Sequence, residues 1–199
     1  MIIPSSPPRS ICVYCSSSNA VDAVYREAAR ETGRLIAKAG YSLVYGGTRI
    51  GLMGEVSAGA RDEGGKVTGI VPEHIRARIL DCEDAEALVV TPDMRQRKAR
   101  MEQLSDAFLA LPGGFGTLEE VMEIITLKQL GLHAKPVVFL NAAGFYEPLL
   151  AFFETIFRER FARQEYAALY SVVSTPSEAL QEVERVWGSA TSLALTKWD

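Results

Sequence analysis

Two glycine-rich segments hold the residues of this chain best suited to chemistry: Tyr45-Gly46-Gly47-Thr48-Arg49-Ile50-Gly51-Leu52-Met53-Gly54 and Leu111-Pro112-Gly113-Gly114-Phe115-Gly116-Thr117-Leu118-Glu119-Glu120. Each follows a short apolar run and precedes an amphipathic stretch, the order strand, turn, helix. Glycine there lets an anion approach the backbone, and the unpaired N–H groups and positive dipole end of the helix attract it. One such turn is weak evidence, because glycine serves any tight turn. Two together point to a phosphate site built from Gly46, Gly47 and Gly113 to Gly116.

Glu120 stands one turn into the second of these helices. Beside a phosphate site such a carboxylate can face a ribose as nucleophile, general base or stabiliser of positive charge. Its spacing from Thr117 also matches the S/T-x-x-E capping box, and spacing alone favours the cap. Arg95, Arg97, Lys98 and Arg100 open an earlier helix. A basic cluster is usually a solvated face, but cations at a helix N-terminus are unfavourable unless an anion lies near, and a bound phosphate would be that anion. His74 and His133 have no base or metal partner in the pattern, so surface or capping roles fit them. Cys12 and Cys15 have C-x-x-C spacing, yet they lie in an apolar run that reads as a buried strand and lack a second pair, which disfavours a metal or redox role.

Those residues need a frame to position them. Short β-rich runs at Ile11 to Cys15, Ser42 to Tyr45, Lys66 to Val71, Ala107 to Leu111, Pro136 to Leu140 and Ser171 to Val173 alternate with helical patterns at Val21 to Ala39, Leu52 to Glu63, Met94 to Ser105, Leu118 to Leu130, Phe145 to Arg160 and Pro176 to Trp187. Strands apolar on both faces, joined by helices, predict an α/β fold: a Rossmann-like open, mostly parallel sheet with helices on both faces. Pro72 to Asp93 reads as a loop over the site, with a short strand at Ala87 to Val90. One domain is expected over 10–188, with a disordered or extended N-terminus at 1–9 and a frayed tail at 189–199.

Bulk composition narrows the partners. A formal net charge of −4 gives no general pull towards nucleic acid or an anionic membrane, so an anion must be held locally. No apolar run approaches the roughly 18 residues a membrane span needs, and Met1 to Arg9 has no apolar signal core. Three cysteines without a secretory signal favour a reducing compartment, the cytoplasm. The first strand ends in Ser16-Ser17-Ser18, not in G-x-G-x-x-G, and no G-x-x-x-x-G-K-[ST] occurs, so dinucleotide binding and triphosphate hydrolysis are disfavoured and a monophosphate fits better.

Pro112-Gly113-Gly114-Phe115-Gly116-Thr117-Leu118-Glu119-Glu120, preceded by Met94-Arg95-Gln96-Arg97-Lys98, resembles the paired P-G-G-x-G-T-x-x-E and R-K signature of the LOG (Lonely Guy) family, once labelled lysine decarboxylases. The resemblance runs from about Ser10 to Trp187. It implies hydrolysis of the N-glycosidic bond of an N6-substituted adenosine 5′-monophosphate, or of AMP, to free base and ribose 5-phosphate. By the same resemblance Arg97 and Glu120 are the catalytic pair. Gly113, Gly114, Phe115, Gly116 and Thr117 hold the phosphate, and Lys98, Glu119 and Thr126 join Gly46 and Gly47 in binding substrate. No cofactor or metal is implied. The family is typically homodimeric, and Met122, Ile125, Leu127 and Leu130 could serve a partner surface or the core equally well. The chain departs from the pattern at Thr48, where a third glycine is usual, and at Ser16-Ser17-Ser18-Asn19, where Gly-Ser-Ser is common. Glu86 is one position out of register with a base-binding glutamate of the plant members. Two other readings are a non-catalytic nucleotide-binding module and a pyridoxal-dependent decarboxylase with Lys98 as Schiff base.

Overall fold

Strands apolar on both faces demand cover on both, and the fold supplies it. The computed structural model describes residues 8–77 and 88–189. Seven strands, β1 (Ser10–Tyr14), β2 (Ser42–Tyr45), β3 (Val67–Pro72), β4 (Leu88–Thr91), β5 (Ala107–Ala110), β6 (Val137–Leu140) and β7 (Ser171–Val173), form one sheet in the order β4-β3-β2-β1-β5-β6-β7. Every neighbouring pair is parallel. The crossovers are α1 (Ala23–Lys38), α2 (Gly51–Asp62), the short α3 (Glu73–Arg76), α4 (Met94–Gln103), α5 (Phe115–Gln129) and α6 (Glu147–Arg158), with α7 (Pro176–Gly188) after the last strand.

Alternate residues of a strand point to opposite faces, so β1 feeds two cores. Ile11 and Val13 pack with Ile36 of α1, Val56 of α2 and Val183 of α7. Cys12 and Tyr14 pack with Met101 of α4, Val121 of α5 and Phe153 of α6. The same alternation separates Cys12 from Cys15, which belong to different cores, so their C-x-x-C spacing makes no pair. Cys82 and Glu86 lie outside the described residues.

Chain order reverses between β1 and β5: successive strands run outward from β1 on one side, then from β5 on the other. At such a switch point two helices depart to opposite faces and leave a crevice above the carboxyl ends of the strands. The turn after β1 and the turn after β5 are tied across it, the Ser16 amide donating to the Pro112 carbonyl at 3.2 Å. The tyrosine hydroxyl of Tyr146 donates to the Leu111 carbonyl at 2.6 Å and steadies the second turn from below.

Most elements match their sequence-based positions within two residues, and the expected strand at Ala87 to Val90 is β4. The exceptions are α5, which starts at Phe115 and not at Leu118, and the short α3, which forms within the segment expected as a loop. Among the described residues no helix is long and apolar enough to cross a membrane.

The closest helix packing is that of α1 on α2, and it depends on glycine. A Cβ on Gly33 would stand 2.0 Å from the Val56 carbonyl oxygen and 2.9 Å from the Ala60 nitrogen, both backbone atoms of α2. Neither can yield without moving the helix. Gly33→Ala is therefore expected to destabilise the fold by about 3 kcal/mol, the upper end of ordinary overpacking, with an unchanged urea m-value. A midpoint within experimental error of the parent would show that the two helices separate freely.

Candidate active site

The crevice at the switch point holds a cavity of about 620 Å3, within the range of small-molecule sites. Its walls come from the carboxyl ends of four strands. Cys15 to Ser18 follow β1, Gly46 and Thr48 follow β2, Val71 and Pro72 end β3, and Gly114 to Thr117 follow β5. Ile50 and Met53 at the start of α2, Ile75 of α3, Met94 and Arg97 of α4, and Glu119 and Glu120 of α5 complete it.

Helix α5 opens on the cavity with Gly114 as its N-cap, and no side chain caps it. Thr117 is thus its third residue, not its cap, and Glu120 lies a turn deeper. The capping-box reading of Thr117 and Glu120 fails for that reason: the box needs the threonine before the first helical residue. Glu120 instead turns inward, 6% exposed, and accepts a hydrogen bond and ion pair from the Arg97 guanidinium, itself 5% exposed. Arg97 Nε also donates to the Ile70 carbonyl at 3.0 Å, which anchors the guanidinium to β3. Burial pushes the Glu120 carboxyl above its ordinary range, against the opposing pull of Arg97.

Gly46 makes room for this pair. A Cβ there would sit 2.7 Å from an Arg97 guanidinium nitrogen and 2.7 Å from the Met53 sulfur. Gly47 adopts a positive φ of 79°, and its Cα lies where a side chain on Gly69 would be, so the turn presses against β3. Gly113 packs on the Thr117 side chain. Gly46, Gly114, Phe115, Gly116, Thr117, Glu119, Arg97 and Glu120 therefore meet at one cavity, whereas Gly47 and Gly113 support it from behind. Phe115 projects at the rim, 93% exposed.

Lys98 and Thr126 are not among the lining residues. The Lys98 ammonium bonds Glu119 and stands 2.7 Å from Glu123, joining α4 to α5. Thr126 donates to the Met122 carbonyl one turn back on the exposed face of α5. The anions that answer the basic cluster are thus protein carboxylates: Asp93 caps α4 through the Gln96 amide at 2.8 Å, Glu120 takes Arg97, and Glu119 and Glu123 take Lys98. The expected stripe on α5 divides likewise, with Ile125 and Leu127 in the core and Met122 and Leu130 at the surface. His133 bonds the Ile124 carbonyl at 2.9 Å and accepts from the Lys135 amide, closing the loop after α5. His74 lies exposed on α3.

The sequence pattern missed the serine turn and the apolar wall as parts of the site. The Ser16 hydroxyl accepts from the Ser18 amide and that of Ser18 from the Ala20 amide, shaping a turn of small polar groups. Their place after the first strand of a parallel sheet was the available signal. Ile50, Met53, Val71, Ile75 and Met94 form the apolar wall from four separate elements, and no local spacing joins them. Thr48, in the place of a third glycine, is buried and turns its hydroxyl towards the Met53 sulfur at 3.4 Å.

The arrangement offers unpaired helix amides for an anion, a buried carboxylate held by a guanidinium, and an apolar wall for a flat or aliphatic group. Among the described residues no three His, Cys, Asp or Glu side chains gather as a metal-holding group.

A protein-family model described as "Possible lysine decarboxylase" matches residues 53–183. The cytokinin riboside 5′-monophosphate phosphoribohydrolase LOG of Oryza sativa subsp. japonica is 42% identical over 176 residues, 88% of this chain and 73% of its own length. The cytokinin riboside 5′-monophosphate phosphoribohydrolase LOG3 of Arabidopsis thaliana is 43% identical over 88% of this chain and 82% of its own. Among solved structures, a Moco carrier protein from Chlamydomonas reinhardtii superposes with a TM-score of 0.70 at 25% identity, covering 90% of this chain and 98% of its own.

Proposed function

Because the chain belongs to the family of the LOG phosphoribohydrolases, we propose that it hydrolyses the N-glycosidic bond of cytokinin riboside 5′-monophosphates, releasing free base and ribose 5-phosphate. The observation that carries the reading is the buried Arg97–Glu120 pair on the wall of a cavity whose other side is the open N-terminus of α5. AMP is a second substrate of the same site in this reading, since both share the phosphoribosyl group.

Cleavage of an N-glycoside develops positive charge on the sugar ring, so a fixed anion beneath it stabilises the transition state more than the ground state. Glu120 supplies that anion. Arg97 keeps it ionised against burial and fixes its orientation. The phosphate rests on the amides of Gly114 to Thr117, an arrangement that neutralises a monophosphate without a cation. The base departs towards the apolar wall of Ile50, Val71, Ile75 and Met94. Lys98 acts in this scheme through Glu119, which it holds at the cavity edge, and Gly46, Gly47, Gly113 and Thr126 act by shaping the elements around the substrate.

The chain works as a homodimer in this reading. Supporting it, Leu132, Phe152 and Phe161 are exposed at 69%, 59% and 85%, and a mainly apolar groove is lined by Met122 of α5 and Phe157 of α6. A cytoplasmic location agrees with the buried free thiols of Cys12 and Cys15.

Chromatography of protein incubated with isopentenyladenosine 5′-monophosphate, AMP and the unphosphorylated riboside tests the proposal. Free base and ribose 5-phosphate are expected from both nucleotides, with little release from the riboside and undiminished rates after a strong chelator. Binding of both nucleotides without cleavage would make the protein a non-catalytic nucleotide-binding module. An aldehyde-cofactor absorbance with lysine turnover would restore the decarboxylase description, which the engagement of Lys98 by two carboxylates speaks against.

A further inference from the structure

The turn after β2 lends alternate residues to the catalytic cavity. Gly46, Thr48 and Ile50 line it, whereas Gly47 packs against β3. Gly46 marks the end next to the catalytic pair, since a Cβ there would stand 2.7 Å from an Arg97 guanidinium nitrogen, and Ile50 belongs to the apolar wall. Thr48 therefore stands between the pair and the side towards which the base departs. It is 6% exposed, and among the described residues its hydroxyl has the Met53 sulfur as hydrogen-bond partner, at 3.4 Å. A thioether is a weak acceptor, so this contact offsets little of the cost of burying a hydroxyl. Valine would fill the same space without that cost, so packing alone does not account for threonine.

The hydroxyl donates to sulfur and keeps two lone pairs, which gives the cavity lining an acceptor beside the catalytic pair. On a nucleotide with its phosphate at the N-terminus of α5 and its sugar over Glu120, the donor nearest the bond that breaks is the ribose 2′-hydroxyl. We infer that the Thr48 Oγ1 accepts a hydrogen bond from the 2′-hydroxyl of the substrate ribose and so adds selectivity for ribonucleotides over 2′-deoxyribonucleotides. This rests on the phosphoribohydrolase reading of the cavity. A 2′-hydroxyl whose proton is drawn towards an acceptor places more electron density beside the positive charge that develops at the anomeric carbon, so the bond strengthens in the transition state.

A cycle of two proteins and two substrates tests this, with kcat/KM measured for AMP and 2′-deoxy-AMP in the parent and in Thr48→Val. The intrinsic reactivities of the two nucleotides cancel in the cycle. The variant is expected to lose about tenfold on AMP, the upper end for one neutral hydrogen bond, and to stay within about twofold on the deoxynucleotide. Thr48→Ser, which keeps the oxygen, is expected to behave as the parent on both. The thermal midpoint of Thr48→Val should equal or exceed that of the parent, whereas loss of a merely structural hydroxyl would lower it. Equal losses on both nucleotides, or a loss that disappears on 3′-deoxy-AMP instead, would overturn the inference. Cleavage of neither nucleotide would defeat the phosphoribohydrolase reading and leave the contact to be read from calorimetric affinities in the same cycle. There Thr48→Val is expected to weaken AMP by about threefold and to leave 2′-deoxy-AMP unchanged, and equal changes for the two would overturn the contact.

Discussion

Glu120→Gln is expected to lower kcat by roughly a thousandfold or more while the affinity for nucleotide changes little, because the variant removes charge and almost nothing else. Glutamine has the shape of glutamate and keeps an oxygen to accept from Arg97, so the cavity wall persists. What it lacks is the negative charge that meets the developing cation of the sugar. An interaction made only in the transition state lowers kcat and kcat/KM together and spares ground-state binding. Single-turnover measurements with direct binding of AMP separate the two quantities. Near-normal turnover would reduce Glu120 to a structural partner of Arg97 and remove the central element of the mechanism. The parent enzyme adds a check from its pH profile. Glu120 titrates above the ordinary carboxylate range because it is buried, so the acid limb of kcat/KM is expected to lie above that range also. Activity should fall as pH drops through it, since the reaction needs the ionised form.

How much of this was legible in the residues depends on the range of the interaction concerned. The parallel sheet followed from strands apolar on both faces, and the two glycine turns could be placed at strand ends because a strand preceded and a helix followed each. The start of α5 was misjudged because Pro112-Gly113-Gly114 and Gly116 are poor helix formers and suggested a turn lasting to Thr117. In the structure Pro112 and Gly113 stay outside the helix, Gly114 is its N-cap, and Phe115 and Gly116 are already helical. That shift of three residues decided the fate of Glu120, moving it from a capping position to the buried wall. The basic cluster shows a different limit. Its charge pattern correctly demanded anions at the start of α4, but whether they were phosphate or protein could not be read from spacing. Glu119, Glu120 and Glu123 answer it from a helix about 20 residues on. Contacts of that range depend on how α4 and α5 cross the same face of the sheet. The apolar wall, drawn from four elements, was beyond any local pattern for the same reason.

Arg97→Gln is expected to destabilise the protein by roughly 3–5 kcal/mol near neutral pH, the usual result of leaving one partner of a buried ion pair alone. The loss should depend on pH, and its sign follows from Glu120. In the parent the folded-state pKa of Glu120 is already raised by burial, opposed by Arg97. A raised acid binds its proton more tightly in the folded state than in the unfolded one. Its stabilising contribution is therefore complete below the unfolded pKa and is lost as pH rises through the folded one. Removing Arg97 takes away the opposing influence, lifts the folded pKa further and extends that window upward. The deficit of Arg97→Gln should then be greater at about pH 8 than at about pH 5, where much of Glu120 can stay protonated. Urea unfolding across that range measures it. Combining Arg97→Gln with Glu120→Gln removes the buried carboxylate, so most of the stability should return and the pH dependence should vanish, while hydrolysis stays at the level of Glu120→Gln alone. A double variant as unstable as Arg97→Gln would show that the arginine serves the fold through the Ile70 carbonyl more than through its charge. Recovery of stability without recovery of turnover separates the two tasks of the pair: Arg97 makes an ionised carboxylate tolerable in the wall of the cavity, and the ionised carboxylate performs the chemistry.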